Sequence, residues 1–281
     1  MTTTAESTTT DHFEAIKARQ QATWASGDYA AVATLIVPVA ETLVDFADLR
    51  AGSEVLDVAT GSANAALAAA RLHSRVVGVD YVPELLERGR QRAAVEGLEI
   101  DLREADAEHL PFPDASFDAV ISVFGSMFAP DHERTAREML RVTRPGGTIA
   151  LAGWTPAGFL GDLFRTVAEI VPPPPAVASP MLWGTGEHLE SIFGPEVEWV
   201  HTTSTFTFRF PSAATFVDYF ARHYGPTLKA LEAAGRRADE LRLQLLTLVQ
   251  NSNRLHAEGP VAVPATYLLS RGTKSMKGAT R

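Results

Sequence analysis

VLDVATGSANAAL, residues 55–67, reads as a strand carrying Asp57 near its end, a loop of small residues, and the start of a helix. A loop of small side chains lets a ligand approach the backbone, and the first turn of a helix offers N–H groups with no partner inside the helix. The same alanines and glycine also suit a tight packed turn that binds nothing. A dinucleotide fold asks for G-x-G-x-x-G here, so that a pyrophosphate can rest on the backbone. The corresponding positions hold Ala59, Gly61 and Asn64, and Asp57 sets a carboxylate where the pyrophosphate would sit. A positively charged ligand reverses that objection, because a nearby carboxylate attracts it.

Outward from this segment, short apolar runs alternate with helical stretches. EVLDVA (54–59), RVVGVD (75–80), LEIDLREA (98–105), FDAVISVF (117–124) and TIALAGW (148–154) read as strands. SANAALAAARLH (62–73), PELLERGRQRAAVEG (83–97) and a segment capped by Asp131 and running to Val142 read as helices, and RPGG (144–147) as a turn. Strands alternating with helices predict a mostly parallel sheet. VVGV, AVISV and IALA are apolar on both faces, as buried parallel strands require.

Upstream, a Thr-rich start (1–11) reads as a disordered tail. Residues 12–49 read as N-terminal helices: Phe13–Trp24, broken at Gly27, then about Tyr29–Phe46 with a kink at Pro38. WASGDY (24–29) is a candidate lid that brings Tyr29 to the ligand, or simply a helix–helix turn. Downstream of a core at 50–154, residues 155–256 read as an inserted cap. It contains a helix (160–171), PPPP (172–175), a short helix (187–194), a strand within 196–210 bearing FTFRF, and helices over 212–223 and 226–256. A last strand lies within 261–270, in a final core segment of 257–272, and 273–281 reads as a tail.

The second strand ends in Asp80, followed by Tyr81, and the third runs into Asp106-Ala107-Glu108. Each acid alone could be a loop or cap residue. Three acids at the carboxyl ends of three consecutive strands line the crevice where open α/β sheets bind ligands. An acid after the second strand can accept from two ribose hydroxyls, and one after the third can accept from an adenine amine. S-adenosylmethionine supplies those groups together with an ammonium and a sulfonium.

VLDVATGSA, VVGVDYVPELLERGRQRA, DAEHLPFPDASFDAVISVFG (106–125) and REMLRVTRPGGTIAL (137–151) together resemble the class I S-adenosylmethionine-dependent methyltransferases, close to the ubiquinone/menaquinone C-methyltransferase branch. The resemblance covers about residues 50–155. It implies a Rossmann-like seven-stranded sheet of order 3-2-1-4-5-7-6 with the seventh strand antiparallel. It further implies that Asp57, Ala59 and Gly61 hold the methionine end of the cofactor, Asp80 the ribose, and Asp106 and Ala107 the adenine. Tyr81 is expected beside the adenosine, Tyr29 at the cofactor, and Ser122, Val123, Phe124 and Gly125 near the sulfonium. Ala59 and Ala63 depart from the glycine-rich loop usual in that family, which bears on affinity.

The 281 residues hold no cysteine, which excludes disulfides and cysteine-type zinc sites and suits a reduced, cytoplasmic setting. The eight histidines show no paired metal-ligand spacing, so no metal is expected. A net charge of -9 without basic runs argues against nucleic acid as a partner, and no apolar stretch reaches membrane-spanning length. A homodimer is allowed. The partner expected is a small-molecule acceptor. His132, His223 and Tyr219 are candidate catalytic groups, with His188 a further histidine, though each reads more readily as a surface or core residue. Phe124, Met127, Phe128, Trp154, Met181, Trp183, Phe206, Phe208, Tyr219 and Tyr224 are candidate walls of an acceptor pocket supplied largely by the cap, or plain core.

The leading function is methyl transfer to an O, N or C nucleophile by in-line displacement. The alternatives are a methyltransferase-fold enzyme that binds the cofactor but does other chemistry, a nucleotide-dependent oxidoreductase, and a binding module without catalysis. We expect titration calorimetry to show binding of S-adenosylhomocysteine and none of NAD. The reverse result would remove the first two readings together.

Overall fold

The computed structural model describes residues 3–175, 177–255 and 259–276, with side chains from residue 13 onward. Seven strands form one sheet: β1 (Glu54–Val58), β2 (Arg75–Asp80), β3 (Asp101–Glu104), β4 (Phe117–Val123), β5 (Thr143–Trp154), β6 (Val197–Phe210) and β7 (Val261–Lys274). Their order is β3-β2-β1-β4-β5-β7-β6. β7 runs antiparallel to both neighbours, and the pairs among β1 to β5 are parallel. This is the Rossmann-like architecture expected, with helices on both faces.

The central strands are buried on both sides. Val55, Leu56, Val58, Val120, Ile121 and Ile149 are each fully inaccessible. Each such side chain contributes roughly 1.5–3 kcal/mol relative to exposure. That burial aligns the carboxyl ends of β1, β2 and β4 along one edge. The helix after β1, α4 (Asn64–Arg71), is poly-alanine-like and almost wholly buried, so it seats close to the sheet. After β2 comes α5 (Pro83–Glu96), with Pro83 in its first turn and Gly97 as a left-handed cap. Asp131 caps α6 (His132–Val142) by accepting from the Arg134 N–H at 2.9 Å.

The N-terminal helices are α1 (Thr3–Trp24), α2 (Tyr29–Leu35) and α3 (Val37–Ala47). α2 and α3 are bent by 60° at the break ahead of Pro38. α3 buries Val39, Ala40, Leu43 and Val44 against the body of the protein. No single described helix is long and apolar enough to cross a membrane.

The segment between β5 and β7 holds α7 (Phe159–Ala168), α8 (Gly186–Phe193), α9 (Ala213–His223), α10 (Gly225–Ala234) and α11 (Ala238–Asn251), besides β6. α7, α9 and α11 pack together, and α9 and α10 reach back to α2 and α1. Their rings stack among themselves: Phe216 and Phe220 lie 4.5 Å apart and parallel, and Phe208 meets both edge-on.

Several boundaries differ from the sequence expectations. α1 extends back to Thr3 through the stretch read as a tail, with no Gly or Pro between Thr3 and Trp24 to stop it; residues 1–2 lie outside the described residues. RPGG is part of β5 rather than a turn. Gly146 adopts φ +76°, and the register against β4 shifts between Phe117 and Ala119, so the extra residues are absorbed as a bulge. The helix expected over 226–256 is broken at Gly235, which has φ +53°. β7 extends to Lys274, two residues into the stretch read as a tail, because β6 continues to pair with it as far as Val197. Residues 256–258 and 277–281 lie outside the described residues.

Where β5 ends, the turn Pro180–Gly184 packs on it so closely that a Cβ on Gly184 would sit 2.1 Å from the Trp154 carbonyl oxygen. Backbone on backbone cannot yield cheaply. We expect Gly184→Ala to destabilise by about 1–3 kcal/mol, a fall of several degrees in the thermal midpoint by calorimetry.

Candidate functional site

A cleft opens at the carboxyl ends of β1 to β4, and the turn after β1 forms its floor. Ala59, Gly61 and Ala63 all take positive φ there, at 53°, 56° and 68°. Such values suit glycine, and an alanine meets a steric penalty of roughly 1–2 kcal/mol. The compression has a visible cause. Opposite the turn, a Cβ on Gly125 would lie 2.3 Å from the Ala59 carbonyl oxygen, and one on Gly78 would press on Thr60.

Two buried carboxylates hold this turn. Asp57 Oδ2 accepts from Thr60 Oγ1 at 2.6 Å and from the Ala66 N–H at 2.9 Å, which ties the end of β1 to the first turn of α4. Asp80 Oδ2 accepts from the Gly61 N–H at 2.8 Å, and Oδ1 from the Val82 N–H at 2.9 Å. Burial pushes the Asp57 carboxyl up to about 7, despite those bonds, and the charge of Asp80 adds to the rise. Burial likewise pushes Asp80 up to about 6. Each carboxylate oxygen can accept two bonds, so both groups retain capacity toward a ligand.

Asp106 stands at the far end. Its Oδ2 binds Lys17 Nζ of α1 at 2.7 Å, and Lys17 also meets Glu108 at 3.1 Å and Glu14 at 2.6 Å. Lys17 holds Asp106 below the usual carboxylate range against the opposing effect of burial. Gln21, one turn on, donates to the Tyr81 carbonyl. α1 is thus fastened across the ends of β2 and β3.

The roof is aromatic. Trp24 meets Tyr29 edge-on at 5.1 Å and Phe128 at 4.8 Å. Tyr29 rests over Gly61, and burial beside Asp80 keeps its phenol protonated. Phe124 has φ +58° and lies flat on Trp154 at 3.8 Å.

Of the residues anticipated at the cofactor, Tyr29, Asp57, Ala59, Gly61, Asp80, Tyr81, Asp106, Ala107 and Val123 all line this cleft. Ser122 does not. It is buried, donating to the Val58 carbonyl at 2.7 Å and accepting from the Ser126 N–H at 3.1 Å, so it stitches β4 to β1. Its neighbours Gly125 and Ser126 face the cleft instead.

The anticipated catalytic groups are not brought together. His132 is buried behind the cleft wall, with Nδ1 3.0 Å from His188 Nε2, and burial lowers it to about 4. Tyr219 donates to the Ala31 carbonyl at 2.8 Å, and the His223 carbonyl accepts from the Asp28 N–H at 3.2 Å. Among the described residues, none of 155–256 lines this cleft, and Trp183, Tyr219 and His223, expected as walls of an acceptor pocket, stand away from it. Trp183 is buried beside His132. The segment braces the helices that form the roof. Of the ten aromatic and methionine candidates, only Phe124 and Phe128 reach the cleft.

Lys17, Gln20 and Trp24 of α1, Ala33 of α2 and Ile36 at the break after α2 line it instead. The sequence marked α1 as a helix without saying which way it would lie. Among the described residues, no group of three potential metal ligands occurs.

An open sheet of this order, with acids at the carboxyl ends of β1 and β2 and just after β3 around one cleft, is the arrangement of the class I S-adenosylmethionine-dependent methyltransferases. A methyltransferase domain family matches residues 56–151. An uncharacterised protein of Mycobacterium tuberculosis is 41% identical over 242 residues, which are 84% of this chain and 88% of that protein. The demethylmenaquinone methyltransferase of Deinococcus radiodurans is 42% identical over 123 residues, 42% of this chain and 51% of that enzyme. Among solved structures, the YcgJ protein of Bacillus subtilis superposes with a TM-score of 0.57 at 21% identity, covering 84% of this chain and 97% of that one. The chain belongs to the class I methyltransferase family, on the quinone-methyltransferase-like side, and shares most of its length with the mycobacterial relative.

The raised carboxyls fix a pH dependence. A carboxyl whose folded value lies above its unfolded value near 4 binds its proton more tightly when folded. Its stabilising contribution is complete below that unfolded value and is lost as pH rises through about 6 for Asp80 and about 7 for Asp57. We expect the ligand-free thermal midpoint to fall between about pH 4 and 7, and Asp57→Asn to flatten the fall. An unchanged slope in the variant would show that Asp57 does not titrate in that range.

Proposed function

We propose that this enzyme transfers a methyl group from S-adenosylmethionine to a small, largely apolar acceptor by in-line displacement. The observation that carries the reading is the pair of buried carboxylates, Asp57 and Asp80, facing one cleft with no cationic side chain among the described residues bonded to either. Two raised acids sharing a cavity suit a ligand that brings its own positive charge. The donor set therefore fits the cofactor: Asp57 with the turn 59–61 for the methionine end, Asp80 for the ribose hydroxyls, and Asp106 with Ala107 for the adenine edge. When bound, S-adenosylmethionine supplies a methyl group already activated on a sulfonium.

The chain's own task is alignment and exclusion of water. Tyr29 and Trp24 cover the turn from above. Phe124, Gly125 and Phe128 form the wall beside the place where the sulfonium belongs. That wall is apolar, and this supports an acceptor that presents a flat or branched hydrocarbon surface next to its nucleophile. The Deinococcus relative is named for demethylmenaquinone, a ring with a hydrocarbon tail, which agrees with the same class of acceptor. His132, His223 and Tyr219 have no part in this reading, since none reaches the cleft.

The test is a screen of reduced quinones and other apolar ring acceptors, read by release of S-adenosylhomocysteine. Phe128→Ala is expected to lower kcat/KM for a productive acceptor about tenfold, equivalent to ~1.4 kcal/mol, while binding of S-adenosylhomocysteine stays within about twofold. Tight cofactor binding with no methylated product from any acceptor would turn the assignment to the non-methylating alternative.

A further inference from the structure

α5 carries a cation whose role the cofactor reading does not use. Arg92 is half-buried, and burial lowers its pKa. All its hydrogen bonds go to neutral oxygens: Nη1 donates to the Ser62 carbonyl at 2.5 Å, to Ser62 Oγ at 3.3 Å and to Asn64 Oδ1 at 2.7 Å. A partly desolvated guanidinium is costly; the charge of Glu96, one turn on, offsets part of that cost, but no carboxylate among the described residues is bonded to Arg92, so its hydrogen bonds are spent on backbone and neutral side chains. What it grips is the one stretch of backbone most in need of a grip. Ser62 and Asn64 flank Ala63, whose φ of +68° places a fully buried residue with a Cβ in the left-handed region.

The same hand extends further. Asn64 Nδ2 donates to the Ala33 carbonyl of α2 at 2.8 Å. The chain Arg92–Asn64–Ala33 thus joins α5, the cofactor turn and α2, the helix that carries Tyr29. Ser62, Asn64 and Ala33 all line the cleft, whereas Arg92 does not. One turn before Arg92, Gly89 makes the approach feasible: a Cβ there would lie 3.0 Å from that of Ala63 and 2.7 Å from Leu102 Cδ1.

We infer that Arg92 is a positioning residue for the cofactor: its grip on Ser62 and Asn64 holds Ala63 in the left-handed conformation and locks the turn after β1 to α2. The inference rests on the reading of the cleft as the cofactor site. It makes α2 and the turn one rigid unit, so that Tyr29 and the backbone at Gly61 keep a fixed spacing. It also explains how this chain uses alanine at a position where the backbone favours glycine. The restraint that glycine would make unnecessary is supplied by a side chain from the next helix.

A rescue experiment separates this role from ordinary structural support. Arg92→Met is expected to raise the dissociation constant for S-adenosylhomocysteine at least tenfold by calorimetry. Ala63→Gly alone sets the reference constant for the comparison. In the double variant, glycine adopts the turn unaided, and the constant should return to within threefold of that for Ala63→Gly. Losses that simply multiply in the double variant would overturn the inference, as would an Arg92→Met protein that binds within threefold of wild type. If Arg92→Met does not fold, Arg92→Lys takes its place, with a smaller loss and the same rescue by Ala63→Gly. Hydrogen exchange of ligand-free protein gives a readout independent of the cofactor. Amides 61–65 should exchange faster in the Arg92 variant and recover in the double variant, and unchanged exchange there would reject the grip. Failure of the wild type to bind S-adenosylhomocysteine, with that exchange pattern intact, would refute the cofactor reading and leave the positioning of the turn in place.

Discussion

Between Asp57 and Asn64 the backbone is forced through a space bounded by β2, the end of β4 and α5. Three positive φ values in five residues record the compression. The rest of the site follows from it. Gly125 is small because this turn leaves no room opposite it, and Gly78 because it is pressed between Leu102 and Thr60 of the turn. Ser122 spends its hydroxyl joining β4 to β1 beneath it, at the Val58 carbonyl. Asp57 and Asp80 spend part of their hydrogen-bonding capacity on its amides. The energy that keeps so strained a turn in place comes from the sheet below, where β1 and β4 are packed on both faces and cannot shift.

The two acids answer to opposing demands. As structural groups they satisfy amides that would otherwise be buried unpaired. As charges they sit where water is scarce, so both are raised well above the ordinary carboxylate range. Uncharged partners would tie the turn as well at lower cost. Retaining two carboxylates makes sense where a cationic ligand completes the charge balance, and this links the strain of the turn to the chemistry of the family.

The roof was built by the N-terminal helices rather than by the long segment after β5. α1 is fastened by Lys17 and Gln21, and α2 by Asn64 and Tyr219. The inserted helices contribute one layer behind, where Tyr224 meets Trp24 at 5.7 Å and the His223 carbonyl receives the Asp28 amide. A change in that outer layer can reach the cleft only through the helices it supports.

The strands, their parallel character and the three acids at their ends were legible in the sequence, because two-sided apolar runs and strand-end positions are local properties. So were the Asp131 cap and the break before Pro38. The extent of α1, the bulge that absorbed RPGG and the broken helix at Gly235 were not, since each turns on what packs or pairs alongside. The site divides in the same way. Asp57, Asp80 and Asp106 occupy positions that β-strand periodicity fixes. Lys17, Trp24 and Ala33 reach the cleft only because distant helices fold over it. His132, Tyr219 and His223 looked chemically apt, yet packing carries all three away from the cleft, with His132 against His188 and Tyr219 bonded to the Ala31 carbonyl. Sequence periodicity determined which residues stand at the ends of the strands, and tertiary packing alone decided which side chains face the space above them.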